Sequence, residues 1–327
     1  MNIIFLLHSF SLYFPNDSHL NVTTNSRYVM NNGCFYIFSC LFSHLFASVN
    51  NGGAISCESV LKTHIVVEGS FFMNCSAIQY GGAIYLKVQE LGGYVLKNVC
   101  AGLCSVTSAS SRGQFCYMTN SNSKPGLFDS VSLAQCSNDP NSPVIGNVFL
   151  DQGNHTSYMI NSSNHISYSF CLLYLRIMPV SKISYCSFMN SKSIYYIGII
   201  YYDSISSFCN SNFVNNSTPH SQYGCYYAEK CQEIIVDNSV FKYNTLILFA
   251  SSVSTMKVYR SLINHISGNT IYLFSSASVS IDVSCQYTVG TCISFNIPFC
   301  STQNQQTKIN KFDSILRNIV FFFSVLV

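Results

Sequence analysis

The sequence predicts an all-β fold, a right-handed parallel β-helix (solenoid) of roughly ten irregular rungs. Three observations point there. Gly-Gly-Ala-Ile stands at 52–55 and again at 81–84, one repeat of 29 residues apart. A phrase made of a small residue, an apolar residue two places on and then Asn recurs along the chain. Long stretches with the 3.6-residue apolar period are missing, and the strong helix formers are scarce.

The elements follow in chain order. Residues 1–27 read as a signal segment or an N-terminal cap. "MNIIFLLHSFSLYF" has signal-peptide length but no positive start, and His8 interrupts it, so a buried first strand is the competing reading. Residues 28–300 form the solenoid. Residues 301–327 are a polar spacer and a short apolar tail, whose last nine residues fall well short of the roughly 20 needed to span a bilayer.

The diglycines answer a mechanical need. A coiled chain must bend sharply between strands and let neighbouring coils approach, and glycine permits both. Gly52 and Gly53 in the first copy, and Gly81 and Gly82 in the second, are the bends. Ala54 and Ala83 are small enough to turn inward, and Ile55 and Ile84 open the next strands.

The second phrase reads "SFFMN" at 70–74, "CSFMN" at 186–190, "SNFVN" at 211–215, "SVFKYN" at 239–244 and "SLIN" at 261–264. Phe188 to Phe213 is 25 residues, to Phe241 a further 28, and to Leu262 a further 21. In an extended strand, alternate residues share a face. The pairs Phe72/Asn74, Phe188/Asn190 and Phe213/Asn215 therefore point one way, with Phe241/Asn244 as a longer variant. Phenylalanines stacked along the axis, with inward asparagine amides laddered at the corner, would fill and satisfy such a core.

Composition narrows the function. Only 9% of residues are charged and the net charge is +3, with no basic run, so nucleic-acid binding is not expected. Sixteen cysteines include no Cys-x-x-Cys pair, and His155 and His165 have no acidic or thiol neighbour in sequence, so no metal site is expected. The thiols read as core residues, or as disulfides between rungs in an oxidising compartment. Seven Asn-x-Ser/Thr sequons point to an extracytoplasmic chain, with Asn74, Asn154, Asn161 and Asn215 as glycosylation acceptors within the solenoid. The thirteen acids are dispersed, and neither a dinucleotide loop nor a nucleophile elbow occurs, so no catalytic residue and no cofactor are expected.

Gly-Gly-Ala-Ile together with Phe/Asn phrases resembles the repeats of the chlamydial polymorphic membrane proteins and of similar surface proteins from parasitic protists such as trichomonads. The matching positions are 52–55, 81–84 and the pairs 72/74, 188/190, 213/215 and 241/244, spanning about residues 50–270. The resemblance implies a pectin-lyase-like β-helix at a cell surface, acting in adhesion or as a variable antigen, without the family's autotransporter barrel. The expectation is a non-catalytic, glycosylated protein at the cell surface or secreted, membrane-associated in the former case. It binds host or extracellular proteins or glycans along its flanks. A carbohydrate-active β-helix enzyme and a truncated, inactive family member are the alternatives.

Overall fold

The computed structural model describes residues 10–281, apart from positions 50, 60–61, 89–91, 110, 121–125, 137–143, 168–172, 177–179, 195–199, 203–204, 220–225, 230–232, 246–247, 253–254, 268–270 and 274–277. The chain is a β-solenoid in which every named strand pairing is parallel, and the only α-helix among the described residues is a turn at 10–13. One side is a ten-stranded sheet running from Tyr28–Met30 to Ile271–Leu273. A 17-stranded sheet forms the next two sides, and short edge strands close some of the coils.

Six coils carry a paired closing edge, through Phe46, Ser76, Ser105, Ile166, Lys192 and Ser217. Among the described residues, complete turns therefore number about six where roughly ten are expected, although one sheet alone stacks ten strands. The expected end of the solenoid at residues 282–300 and the tail at 301–327 lie outside the described residues. At the other end, Leu20–Val22 already stacks in register on Phe35–Ile37, ahead of the expected start at residue 28.

The turns are made by residues in the left-handed region. Within the 17-stranded sheet, one corner stacks Ser39, Gly69, Asn98, Ser130, Met159, Tyr185, Asn210, Asn238 and Arg260, all with φ between 44° and 59°. A second corner stacks His44, Asn74, Leu103, Gln135, Asn164, Asn190, Asn215 and Tyr243. Asparagine tolerates this conformation better than most residues, which explains its recurrence in the phrase.

That explanation corrects the expected orientation. Asn74, Asn190 and Asn215 are themselves the bend, so strict alternation fails there and all three side chains are exposed rather than inward. Asn215 Nδ2 donates to Asn190 Oδ1 at 3.0 Å, an amide ladder on the outside of the coil. The buried amides belong to the following position. Asn216 Oδ1 accepts the Ser191 N–H at 3.1 Å and its Nδ2 donates to Phe188 O, while Asn244, fully buried, repeats both bonds one coil on.

The small residue of the phrase also has a job. Ser211 Oγ accepts the Cys186 N–H at 2.9 Å and donates to Cys209 O at 2.7 Å. Ser239 and Ser261 do the same for the coils above them, and Ser70 for Cys40. Each hydroxyl satisfies two backbone groups that the corner would otherwise leave buried without partners. In the three coils between those of Ser70 and Cys186, Val99, Val131 and Ile160 hold this position and are buried there instead.

Two places on stands the core column. Phe42 stacks on Phe72 at 4.9 Å, and Phe188, Phe213 and Phe241 stack at 5.1 Å per step. The column continues to Ile263, not to Leu262, which pairs with Val240 one position out of phase; counting from Ser261 gives the observed register. Between the two aromatic runs Ala101, Leu133 and Ser162 occupy the column. Phe115, just ahead of the opposite sheet's strand Cys116–Thr119, fills toward Phe72, edge-on at 5.8 Å. One continuous apolar core, from Val22 to Ile263, results.

Candidate functional site

The glycine corners set the geometry of the flank. Gly52 and Gly81 have φ of 68° and 59°, and a Cβ on either would lie 2.0 Å from the carbonyl oxygen of Ile55 or Ile84. Gly53 and Gly82 meet the next coil instead: a Cβ would lie 2.4 Å from Gly82 O in one case and 2.1 Å from Gln114 O in the other. The first glycine of each pair turns the chain and the second admits its neighbour. Ala54, Ile55, Ala83 and Ile84 are fully buried. The stack continues through Gly113 and Gly146, both with positive φ, in the degenerate copies "GQFC" and "GNV" that sequence reading passed over.

Leaving these corners, the outer face of the ten-stranded sheet carries a row in register, Ser56, Tyr85, Tyr117, Phe149 and Tyr174, in which Phe149 is 1% and Tyr85 6% exposed while Tyr117 and Tyr174 are half-buried. Parallel in-register pairing puts like rings face to face at the coil spacing. Tyr85 and Tyr117 lie 5.5 Å apart, Tyr117 and Phe149 5.1 Å, Phe149 and Tyr174 4.6 Å, with interplanar angles from 22° down to 8°. Tyr80 leans on Tyr117 at 5.1 Å. Arg112 and Arg176 close over Phe149, their guanidinium carbons 5.0 and 5.8 Å from its centroid.

Ring faces are thus taken by neighbouring rings, Phe149 lies beneath the two guanidinium groups, and what the flank offers comes from the half-buried Tyr117, Tyr174, Arg112 and Arg176. Tyr117 Oη donates to Asp151 at 3.1 Å, and Arg176 Nε donates to the same carboxylate at 2.8 Å. Burial pushes the Tyr85 hydroxyl up to about 12, helped by Glu58 nearby, so it stays a neutral donor. The tyrosine-rich stretches "SIYYIGIIYYD" and "QYGCYY" lie largely outside the described residues. The column has no local sequence signal, because its members are 25 to 32 residues apart and share only their register.

The acids among the described residues do not converge. Glu58 pairs with Lys87, Glu68 with Lys97, Asp151 with Arg176, Glu233 with Lys257 and Asp237 with Arg260, each across one coil, and Asp17 pairs with Lys62. Glu229, Glu233 and Asp237 do not share a helical face; they fall on two strands, Tyr226–Glu229 and Glu233–Asp237.

His155 and His165 are buried. His155 Nε2–H donates to Gln152 O at 2.7 Å while its Nδ1 accepts from Tyr94 Oη at 2.5 Å. His165 Nδ1–H donates to Cys136 O, and its Nε2 accepts from Ser162 Oγ. Burial lowers both imidazoles to about 4, so both are neutral. Of the sequon asparagines, Asn74 and Asn215 project from exposed corners and Asn154 is half-buried. Asn161 is 6% exposed, with its Oδ1 buried and unbonded, so a glycan there is incompatible with the folded coil. Cys100 is disulfide-bonded; the nine other described cysteines are free thiols, among them Cys75, Cys136 and Cys186 in the core.

One group of ligand-type side chains does come together, contrary to expectation: Asp17, Cys34 and His64. No spacing motif announces it, because the three come from the N-terminal segment and two successive coils. No protein-family model, curated protein or solved structure matches this chain.

Proposed function

We propose that the chain is a non-catalytic β-solenoid of the cell surface or extracellular space that binds a macromolecular partner, a host or extracellular protein or glycan, along its flank. The observation that carries the reading is the column Tyr85–Tyr117–Phe149–Tyr174 with Arg112 and Arg176 over it. Stacking between coils fixes these rings before any partner arrives, so little side-chain entropy is lost on contact. Aromatic and arginine side chains of this kind dominate binding surfaces, and repetition at the coil spacing matches extended, repetitive partners. The resemblance to surface repeat proteins and the exposed sequons at Asn74 and Asn215 support the location. No helix among the described residues is long and apolar enough to cross a membrane.

The test is binding of the purified chain to a printed glycan array and to intact cells, alongside the double variant Arg112→Gln/Tyr174→Phe. At least a tenfold loss of binding with unchanged circular dichroism is expected. Equal binding by both proteins, or binding by neither, overturns the reading. Release of reducing ends from polysaccharides would favour the enzyme instead.

A further inference from the structure

The N-terminal segment lies across the outer surface of the 17-stranded sheet. Phe10 and Phe14 are buried there against Tyr36, Val66 and Val95, one outward residue from each of three successive coils. The next outward row holds Cys34 and His64, which face each other across adjacent coils. Asp17, three residues beyond Phe14, comes down over that pair.

The contacts are specific. His64 is 1% exposed, and its Nδ1 lies 2.6 Å from Asp17 Oδ2. Phe14 stacks flat on the imidazole, centroids 4.0 Å apart and planes 8° from parallel, which fixes the ring's orientation. The His64 backbone N–H faces the Cys34 thiol, and the Asp17 and Lys62 charges both act on that thiol. The other Asp17 oxygen meets the Lys62 ammonium, on a side chain that is 49% exposed. One donor atom from each of Asp17, Cys34 and His64 lies within 4.8 Å of the others.

We propose that Asp17, Cys34 and His64 form a binding site for a zinc-type divalent cation that clamps the N-terminal segment to the first coils. The donor set of carboxylate, thiolate and imidazole is of the kind that selects such ions. Tetrahedral bonds of about 2.0–2.3 Å place ligand atoms about 3.3–3.8 Å apart. The Nδ1–Oδ2 pair at 2.6 Å must therefore open by about 0.7 Å, and a separation at the 4.8 Å limit must close by about 1–1.5 Å, both within reach of side-chain rotation. Two anionic ligands balance a dication. On binding, the thiol proton passes to solvent, the hydrogen between Nδ1 and Oδ2 leaves by way of water so that a neutral imidazole with its one hydrogen on Nε2 ligates through Nδ1, and Lys62 swings into water. The fourth position stays open to water.

Cobalt(II) reports this directly. Titrated into the reduced, metal-free full chain, one equivalent of Co²⁺ should give a tetrahedral visible spectrum with a thiolate charge-transfer band. Cys34→Ser should abolish that band, Asp17→Asn should weaken binding at least tenfold, and Lys62→Met should leave it equal or tighter. An unchanged band in Cys34→Ser overturns the proposal by assigning the ion to another of the free thiols. No tetrahedral spectrum at equimolar Co²⁺ leaves only a salt bridge and overturns it as well. Should a variant fail to fold, X-ray absorption of the zinc-loaded unaltered chain decides: one sulfur at about 2.3 Å with nitrogen and oxygen neighbours is expected. No sulfur, or more than one, rejects the site.

Discussion

Replacing Phe213 by alanine probes the core column where its structure is most regular. The ring is fully buried and stacks on Phe188 and Phe241 at 5.1 Å each, at 26° and 5°. Burying a phenylalanine contributes roughly 1.5–3 kcal/mol, and the cavity left between two fixed coils raises the expected loss to about 3–5 kcal/mol. Because each coil touches only its neighbours, the damage should be local. Urea unfolding followed by circular dichroism gives the magnitude, and amide hydrogen exchange gives the place. Protection should fall in Ser187–Met189, Asn212–Val214 and Val240–Thr245 and persist in Ile55–Ser59. Phe46→Ala, at a side chain 56% exposed, is the control and should change stability by less than about 0.5 kcal/mol. A loss below about 1 kcal/mol for Phe213→Ala, or exchange that rises uniformly along the chain, would refute the stacked-column account.

Three further outcomes follow from the same structure. Gly82→Ala puts a methyl 2.1 Å from Gln114 O and 2.4 Å from Ser105 O, so two coils must separate; a loss of roughly 2–3 kcal/mol or insoluble expression is expected in a denaturation assay. Asn216→Ala strips partners from the buried Ser191 N–H and Phe188 O and should cost about 2–4 kcal/mol by the same assay. His155 and His165 have folded pKa values near 4 against 6.5 when unfolded, so the unfolded chain binds more protons between those values. Their stabilisation is complete above pH 6.5 and is lost as pH falls toward 4, by about 3 kcal/mol each; urea midpoints across that range should show it, and a His165→Gln variant should have a shallower slope.

Much of the fold was legible because a solenoid writes its geometry into the sequence at fixed intervals. The 29-residue step between the Gly-Gly-Ala-Ile copies is the observed pairing of Ile55 with Ile84. The steps of 25 and 28 are the pairings of Phe213 with Phe188 and Phe241. The error at Leu262 came from anchoring on the apolar residue and not on Ser261, whose hydroxyl ladder is the stricter constraint. The error at Asn74, Asn190 and Asn215 came from extending strand alternation through a residue with positive φ. Residues 93–163 looked unlike a repeat because Ala101, Leu133 and Ser162 replace phenylalanine, while Phe115, just ahead of the opposite sheet's strand Cys116–Thr119, packs edge-on beside Phe72. The aromatic flank and the Asp17, Cys34 and His64 group depend on register between coils, and no local spacing encodes that.

The stacking of coils in register is the premise beneath every other statement, and a dipolar distance between two spin labels tests it most directly. Labels carried on ketone-bearing residues at Asn74 and Asn215, both exposed at the same corner, avoid the native thiols. The two positions are separated by five coil steps, through Leu103, Gln135, Asn164 and Asn190. At about 4.8 Å per step, a single distance distribution centred near 24 Å is expected. A centre beyond about 35 Å, or two resolved populations, would mean that the coils do not stack in this register.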